Sequence, residues 1–317
     1  MSAPPAPRPP RRPPAAAARP AARPARARAP LARAPLTLAP LALAPLLALA
    51  ALGCKDEAKP AEDGVPEGMV RVELAPFEMG CTDRAGICAL DEQPPHQVTL
   101  TRPFYLDVVE VTVGDFSAVL NYLPVAAAEL DADRPVVGLD WHEAAAYAVG
   151  RSRDEGVEAC YVCEGLREDA ACEAVDDVLS CGGYRLPTEA EWEGAARCGQ
   201  DVAWAGGDEL AAVAWTADSP PADDLPQPGG LLQANPCGVY DLSGNVAEWT
   251  HSAYGVYPTG PVTDPVDGDD PALTATRGGH WQAEGDFARL AARAPTRAVA
   301  AEPTLGMRLA RTAPAGD

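Results

Sequence analysis

Cysteine is the residue that most limits how this chain can fold. Nine are present, at Cys54, Cys81, Cys88, Cys160, Cys163, Cys172, Cys181, Cys198 and Cys237, and none lies beyond Cys237 in 317 residues. If Cys54 serves another purpose, eight remain, an even number that suits four bridges in an oxidising compartment. Spacing allows Cys81–Cys88, Cys198–Cys237 and two bridges among Cys160, Cys163, Cys172 and Cys181, whose connectivity stays open. The competing reading is metal. Cys160-Tyr-Val-Cys163 has zinc spacing, although Cys172 and Cys181 do not form a second C-x-x-C.

Cys54 differs because of what precedes it. Residues 1–53 hold eight Arg, no Lys, no acidic residue and 13 of the 34 prolines. Such a stretch cannot build a core and reads as a leader. Its apolar part, Leu36 to Leu52, is interrupted by Pro40 and Pro45. It ends in Ala51-Leu52-Gly53-Cys54, which resembles a bacterial lipobox with Ala51 in place of the usual Leu. On this reading Cys54 is lipidated and becomes the first residue. The alternative is a single transmembrane anchor, against which both prolines and the short run weigh. Either way the domain is exported. The expected location is the bacterial cell envelope, with a lipid anchor to the membrane in the outer membrane or periplasm. Residues 54–65 are then the lipidated Cys and a polar tether, 66–312 one domain, and 313–317 a tail.

The leader also hides a strong charge. Of 25 Lys and Arg, 17 lie beyond it, against all 46 Asp and Glu, so residues 54–317 carry a formal charge of −29. A polyanion of this kind excludes nucleic acid and an anionic membrane surface as the main partner.

Short strands are expected at Met69–Val72, Phe77–Gly80, Gln97–Leu100 and Phe104–Asp107. Three helices carry start signals at Thr112, Asp140 and Thr188. The last, Thr188-Glu-Ala-Glu191, is a full capping box, and the helix is expected to run to about Arg197. Regular structure is hard to find after Cys198. Trp204 to Cys237 and Thr259 to Asp270 read as long Gly, Pro and Asp-rich loops.

Several long segments are more specific. Tyr184-Arg-Leu-Pro-Thr-Glu-Ala-Glu-Trp-Glu-Gly-Ala-Ala-Arg197 and Gly238-Val-Tyr-Asp-Leu-Ser-Gly-Asn-Val-Ala-Glu-Trp249 resemble the two hallmark segments of the sulfatase-modifying-factor, or formylglycine-generating enzyme, family. Arg277-Gly-Gly-His-Trp281 and Leu305-Gly-Met-Arg-Leu-Ala-Arg311 are similar to its C-terminal motifs. Phe77-Glu-Met-Gly80, Val109-Glu-Val-Thr112 and Pro135-Val-Val-Gly-Leu-Asp-Trp141 match upstream in the same order. The resemblance covers about residues 66–312. It implies an α+β fold, a C-type-lectin-like variant that is loop-rich with little regular secondary structure and binds calcium.

The family's oxidase holds Cu(I) and a substrate thiol with two cysteines placed after its Arg-Gly-Gly-Ser-Trp motif, because Cu(I) prefers soft thiolates. Here Gln282-Ala-Glu-Gly-Asp-Phe-Ala288 follows, and no cysteine lies beyond Cys237. Copper is therefore not expected, and no catalytic residue is assigned. His280, Trp281, Glu284 and Asp286 outline a remodelled pocket. The resemblance places a calcium site on the Asp241 and Glu248 side chains and the Gly244 and Val246 carbonyls, all oxygen donors suited to a hard cation. Asp218, Asp223 and Asp224 are candidates for a second family calcium site. Trp192, Trp249 and Trp281 are expected as core anchors. Arg185, Glu191 and Arg197 are candidates for buried ion pairs, and Arg277, Arg293 and Arg308 are expected to pair with the excess carboxylates.

These residues point first to a non-catalytic binding or structural module on the cell envelope, with a protein or glycan ligand at Trp204–Pro236 and Thr259–Asp270. The alternatives are a formylglycine-generating-type oxidase or another metal-dependent oxidase working at His280, and a maturation or assembly factor for another exported protein.

Overall fold

The computed structural model describes residues 64–82, 88–165, 167–266 and 270–314. The leader, Cys54 and most of the tether lie outside the described residues.

Strand β1 (Met69–Val72) pairs antiparallel with β4 (Phe104–Asp107), with Met69 opposite Asp107. β4 in turn pairs with β13 (Ala310–Thr312), and β13 with β7 (Tyr184–Arg185). One sheet thus ties the beginning of the domain to its end. All four residues of β4 are buried, as expected for a strand covered on both faces.

A second sheet has the order β11 (Arg293–Arg297), β10 (Asp270–Arg277), β8 (Ala247–Tyr254), β12 (Leu305–Gly306). Both long strands lie beyond Cys198, where the sequence reading finds little regular structure. The reason is visible in their side chains. The buried residues of β8 fall at Glu248-Trp-Thr250 and Ser252 instead of alternating, and those of β10 are Thr274, Ala275, Thr276 and Arg277. Polar residues buried on both faces leave neither a period of two nor an apolar run. The Thr259–Asp270 loop contains β9 (Val262–Thr263), which joins β2 (Phe77–Met79) and β3 (His96–Thr99) in a third sheet. Within the Trp204–Cys237 loop only the single turn α4 (Leu210–Val213) is helical.

The three expected helices form where their caps place them. α1 (Val113–Leu120) starts where the Thr112 hydroxyl accepts from the Asp115 amide, and α2 (Trp141–Asp154) is opened by a capping box of Asp140 and Glu143. In α3 (Glu189–Arg197) the Thr188 hydroxyl accepts from the Glu191 amide at 3.1 Å, and Glu191 accepts from the Thr188 amide at 2.8 Å. Every residue of α3 is buried, four of them charged. Ion pairs compensate: Arg185 to Glu191 at 2.6 Å, Arg197 to Glu193 at 2.7 Å, and Arg277 to both Glu189 at 3.1 Å and Glu193 at 2.5 Å. Arg293 adds a second cation on Glu189. Removing one member of such a buried set leaves an uncompensated charge.

Four disulfides link all eight described cysteines: Cys81–Cys88, Cys160–Cys181, Cys163–Cys172 and Cys198–Cys237. This settles the open connectivity and corrects the zinc alternative, since a sulfur bonded to sulfur offers no thiolate to a metal. Cys163 and Cys172 face each other across the hairpin of β5 (Tyr161–Glu164) and β6 (Ala171–Ala174).

Candidate functional site

The C-terminal end of β10 runs into Gly278 and Gly279, both with positive φ. A Cβ on Gly279 would stand 2.7 Å from the Phe287 carbonyl. Glycine at this position lets the chain turn sharply against the Gly285–Ala288 3-10 turn. Between that turn, β10, β11 and β12 opens a cleft of about 650 Å³. Its walls include Ala294, Leu305 and Phe287, the last 63% exposed, with His280, Glu284 and Glu302 as polar groups. The His280 Nδ1 accepts from the Gln282 amide at 3.3 Å, so its proton sits on Nε2. Burial lowers the imidazole's pKa and favours this neutral form.

The remodelled pocket is thus only half assembled as the sequence suggests. His280 and Glu284 line the cleft, whereas Trp281 and Asp286 are not among its walls. Trp281 packs on Val137 and Val246 and donates its indole N–H to the Asp224 carbonyl. The ligand atoms of His280, Glu284 and Asp286 do not all come within 4.8 Å of one another, and among the described residues the one cluster that does is Cys81, Cys88 and Glu92. There the two sulfurs are already bonded to each other and Glu92 pairs with Arg289.

A second constellation lies in the core. The turn before β8 has positive φ at Asp241, Gly244 and Asn245. Gly244 passes so close to the chain that a Cβ would meet the Trp215 carbonyl at 2.2 Å. Glu248, on β8, is fully buried. One of its oxygens accepts from Arg308 Nη2 at 2.7 Å; the other accepts from Arg308 Nε at 2.8 Å and the Trp192 indole at 2.7 Å. Asp241 Oδ2 accepts from the Gly230 amide at 2.7 Å, and its buried Oδ1 has no hydrogen-bond partner. Glu110, in the segment between β4 and α1, repeats this pattern. Its Oε1 accepts from Asn245 Nδ2 at 3.0 Å, and its buried Oε2 has no partner. Burial, then the nearby Asp241 carboxylate, push Glu110 well above the ordinary carboxylate range, and burial raises Asp241. Glu110 is a residue the sequence reading passes over; it stands in the Val109-Glu-Val-Thr112 motif, and only burial reveals it.

Of the other acidic candidates, Asp224 takes the Trp281 indole on its backbone carbonyl, and the side chains of the remaining two have partners. Asp218 accepts from the Gly285 amide at 2.7 Å, and Asp223 is paired with Arg134 at 2.6 Å. Trp192 and Trp249 are fully buried, and Trp249 donates to the Leu139 carbonyl at 3.0 Å.

The model of the sulfatase-modifying factor enzyme 1-like domain matches residues 55–313. The chain belongs to this family. Among sulfatase-modifying-factor relatives, the formylglycine-generating enzyme of Streptomyces coelicolor is 29% identical over 319 aligned positions, covering 84% of this chain and 97% of the enzyme. The chaperone protein LppX of Paenibacillus barcinonensis is 31% identical over 178 positions, covering 48% of this chain and 62% of that protein. The serine/threonine-protein kinase pkn1 of Chlamydia caviae is 28% identical, covering 81% of this chain and 40% of the kinase. The chain thus spans less than two thirds of these last two. Among solved structures, Treponema denticola variable protein 1 superposes with a TM-score of 0.67 at 25% identity, covering 77% of this chain and 95% of that one. PvdO from Pseudomonas aeruginosa gives 0.62 at 24% identity, covering 77% and 94%, which speaks for the fold alone. The mixed α/β, loop-rich architecture is the one the resemblance implies.

Among the described residues the family's copper-binding cysteine pair has no counterpart. No cysteine lines the cleft after Arg277-Gly-Gly-His-Trp281, and every described cysteine is bonded to another. Cu(I) bound as in the oxidase needs two free thiolates, so the residues present do not fit that group. Arg277 is buried and spent on Glu189, Glu193 and the Leu290 carbonyl. Its work is to tie α3 to β10.

Proposed function

We propose that this sulfatase-modifying-factor domain is a non-catalytic binding module displayed on the bacterial cell envelope. The observation that carries the reading is the cleft itself: it keeps a ligand-sized volume at the family motif but is lined by Ala294, Leu305, Phe287 and His280, with no thiol. Apolar walls with a few convergent polar groups suit an extended peptide or a glycan. The test is a thermal-shift and titration panel of extended peptides and oligosaccharides. A true cleft ligand binds at least tenfold more weakly to Phe287→Ala, whose melting temperature stays near that of the wild type because the ring is largely exposed. Ligands that bind wild type and variant equally would reject the cleft as the site.

Four disulfides support an oxidising compartment, and no helix among the described residues is long and apolar enough to cross a membrane. With Cys54 as the lipid-bearing residue, Cys54→Ala releases the protein from the membrane fraction; full retention would reject the anchor.

Calcium is the structural cofactor of this reading. Asp241, Glu248 and the Gly244 and Val246 carbonyls supply hard oxygen donors, and the unpartnered Asp241 Oδ1 is the atom such an ion would satisfy. Calcium held there supplies positive charge and cross-links the turn before β8.

A second reading, a maturation or assembly factor for another exported protein, draws on the likeness to a protein named a chaperone.

A further inference from the structure

A second cavity, of about 390 Å³, opens beside α1 and α2. Small-molecule sites span about 300–1,000 Å³, so its size suits a small ligand. Its walls come from Glu67 and Gly68 just before β1, from the end of β4 and the segment after it, and from the two helices. Val109, Val111, Ala118 and Val119 give it an apolar side.

Tyr147 distinguishes this cavity from an ordinary surface crease. The residue is only 2% exposed, and its ring stacks on Phe116 with centroids 5.6 Å apart. It lines the cavity, yet its hydroxyl makes no hydrogen bond among the described residues. A buried phenol normally finds a partner. Burial holds its proton on, so the wall presents a neutral hydroxyl with lone pairs to offer. Arg151, Asp107 and Asp115 are the charged side chains that act on it.

The remaining polar groups show which ligand charge the cavity accepts. Arg151 is the one basic residue in its lining. Its donors go to Asp107 at 2.8 Å, to the Glu67 carbonyl at 3.2 Å and toward Glu155 at 3.6 Å. Its face covers the Tyr184 ring at 4.3 Å. Little of that guanidinium is left for an anion. Acceptors, by contrast, stay open. Asp115 takes the Thr112 hydroxyl on Oδ2 at 2.7 Å and keeps Oδ1 free. The exposed Glu67 carboxylate meets no cation among the described residues. A metal ion fits poorly, since no three of the lining carboxylates bring ligand atoms within 4.8 Å of one another. A bare ion also gains nothing from the valine side. An organic cation uses both features.

We propose that this cavity binds a small aliphatic amine, with its ammonium among the Tyr147 hydroxyl and the Asp115 and Glu67 carboxylates and its stem along Val109 and Val119. An ammonium has three donors and no acceptor, which matches a wall of open acceptors beside a spent guanidinium. Its bonds to carboxylates are of the strong, charge-assisted kind, and the stem gains by leaving water. The site is separate from the cleft at β10, β11 and β12 and does not depend on what that cleft binds.

The experiment is a calorimetric titration of the purified protein with butane-1,4-diamine, and with butan-1-ol as a stem of the same length without charge. Wild type is expected to bind one diamine saturably and to ignore the alcohol. Tyr147→Phe is expected to bind the diamine about tenfold more weakly, the worth of one hydrogen bond to a charged group. Its melting temperature should match that of the wild type, because the hydroxyl has no partner in the protein. Asp115→Asn should weaken binding by about tenfold or more. Phe287→Ala, in the other cleft, should bind the diamine as wild type does. Wild type without saturable binding overturns the proposal. So does a Tyr147→Phe variant that binds as well as wild type, which would mean that the amine is drawn only to an acidic surface. Should Tyr147→Phe not fold, the exposed Asp115→Asn decides in the same way. Loss of binding in Phe287→Ala would place the amine in the other cleft and would also overturn the assignment.

Discussion

Arg308→Met is expected to lower the melting temperature of the purified protein by about 6–20 °C, read by circular dichroism at neutral pH. The side chain is fully buried and gives four hydrogen bonds, two of them to Glu248. Methionine fills much the same space, so the loss is electrostatic and not a cavity. Glu248 is left buried without a cation, beside Glu110 and Asp241, which also draw on Arg308. Breaking one buried pair in this way costs about 3–5 kcal/mol, a large part of a domain's net stability of about 5–15 kcal/mol. In a domain of this size each kcal/mol is worth about 2–4 °C. Adding Glu248→Gln to the same chain removes the stranded charge and is expected to restore part of the loss. A shift below about 3 °C for the single variant would mean that the cluster is neutralised by something other than Arg308.

Acidification is expected to weaken the fold through His251. The imidazole is mostly enclosed, packed against Trp141 and Tyr161, and its Nδ1 lies 3.0 Å from the Tyr161 hydroxyl. That hydroxyl also accepts from the Leu186 amide, so its own proton points at Nδ1. A neutral imidazole accepts it; a protonated one would set two donors against each other. Burial first, then the nearby Arg185 guanidinium, push His251 down to about 4, with Glu191 pulling weakly the other way. The ordinary value is about 6.5. Above pH 6.5 His251 is neutral whether the chain is folded or not, and stability is intact. Between 6.5 and 4 the unfolded chain takes up a proton that the folded one refuses, so stability falls as pH falls. At about 1.4 kcal/mol per unit the loss reaches at most about 3 kcal/mol near pH 4. The measurement is the melting temperature from pH 7.5 to 4.5 for wild type and His251→Gln, whose side chain does not titrate. The wild-type curve should drop more steeply below pH 6.5, and parallel curves would contradict the assignment.

Much of the frame was legible in the residues because it rests on local chemistry. Thr188 and Glu191 satisfy each other's backbone donors within four residues, so α3 could be read at both ends, and the capped starts at Thr112 and Asp140 likewise. The hallmark segments carried the family and, with it, the fold. What escaped was settled by partners far apart in sequence. β8 and β10 hide their strand character because Glu248, Thr250, Thr276 and Arg277 are buried against distant charges and carbonyls. The choice of Cys160–Cys181 over Cys160–Cys172 depends on the β5–β6 hairpin, which sets Cys163 opposite Cys172. Trp281 and His280 are adjacent in sequence, yet the Trp281 ring packs on Val246 while His280 lines the cleft. Glu110 carried no signal in a motif of ordinary strand-to-helix composition; the orphaned oxygen that gives it meaning exists only once Asn245 and Asp241 are folded against it.

The central claim is that this domain keeps the family fold without the family's thiol oxidation. It is tested most directly by incubating the purified protein with Cu(I), oxygen and a sulfatase-type cysteine peptide, and following the peptide by mass spectrometry alongside a formylglycine-generating enzyme as control. The expected result is that the peptide thiol survives unchanged and no stoichiometric copper stays with the protein after gel filtration. Repeated turnover of the thiol to an aldehyde, with copper retained, would contradict the account.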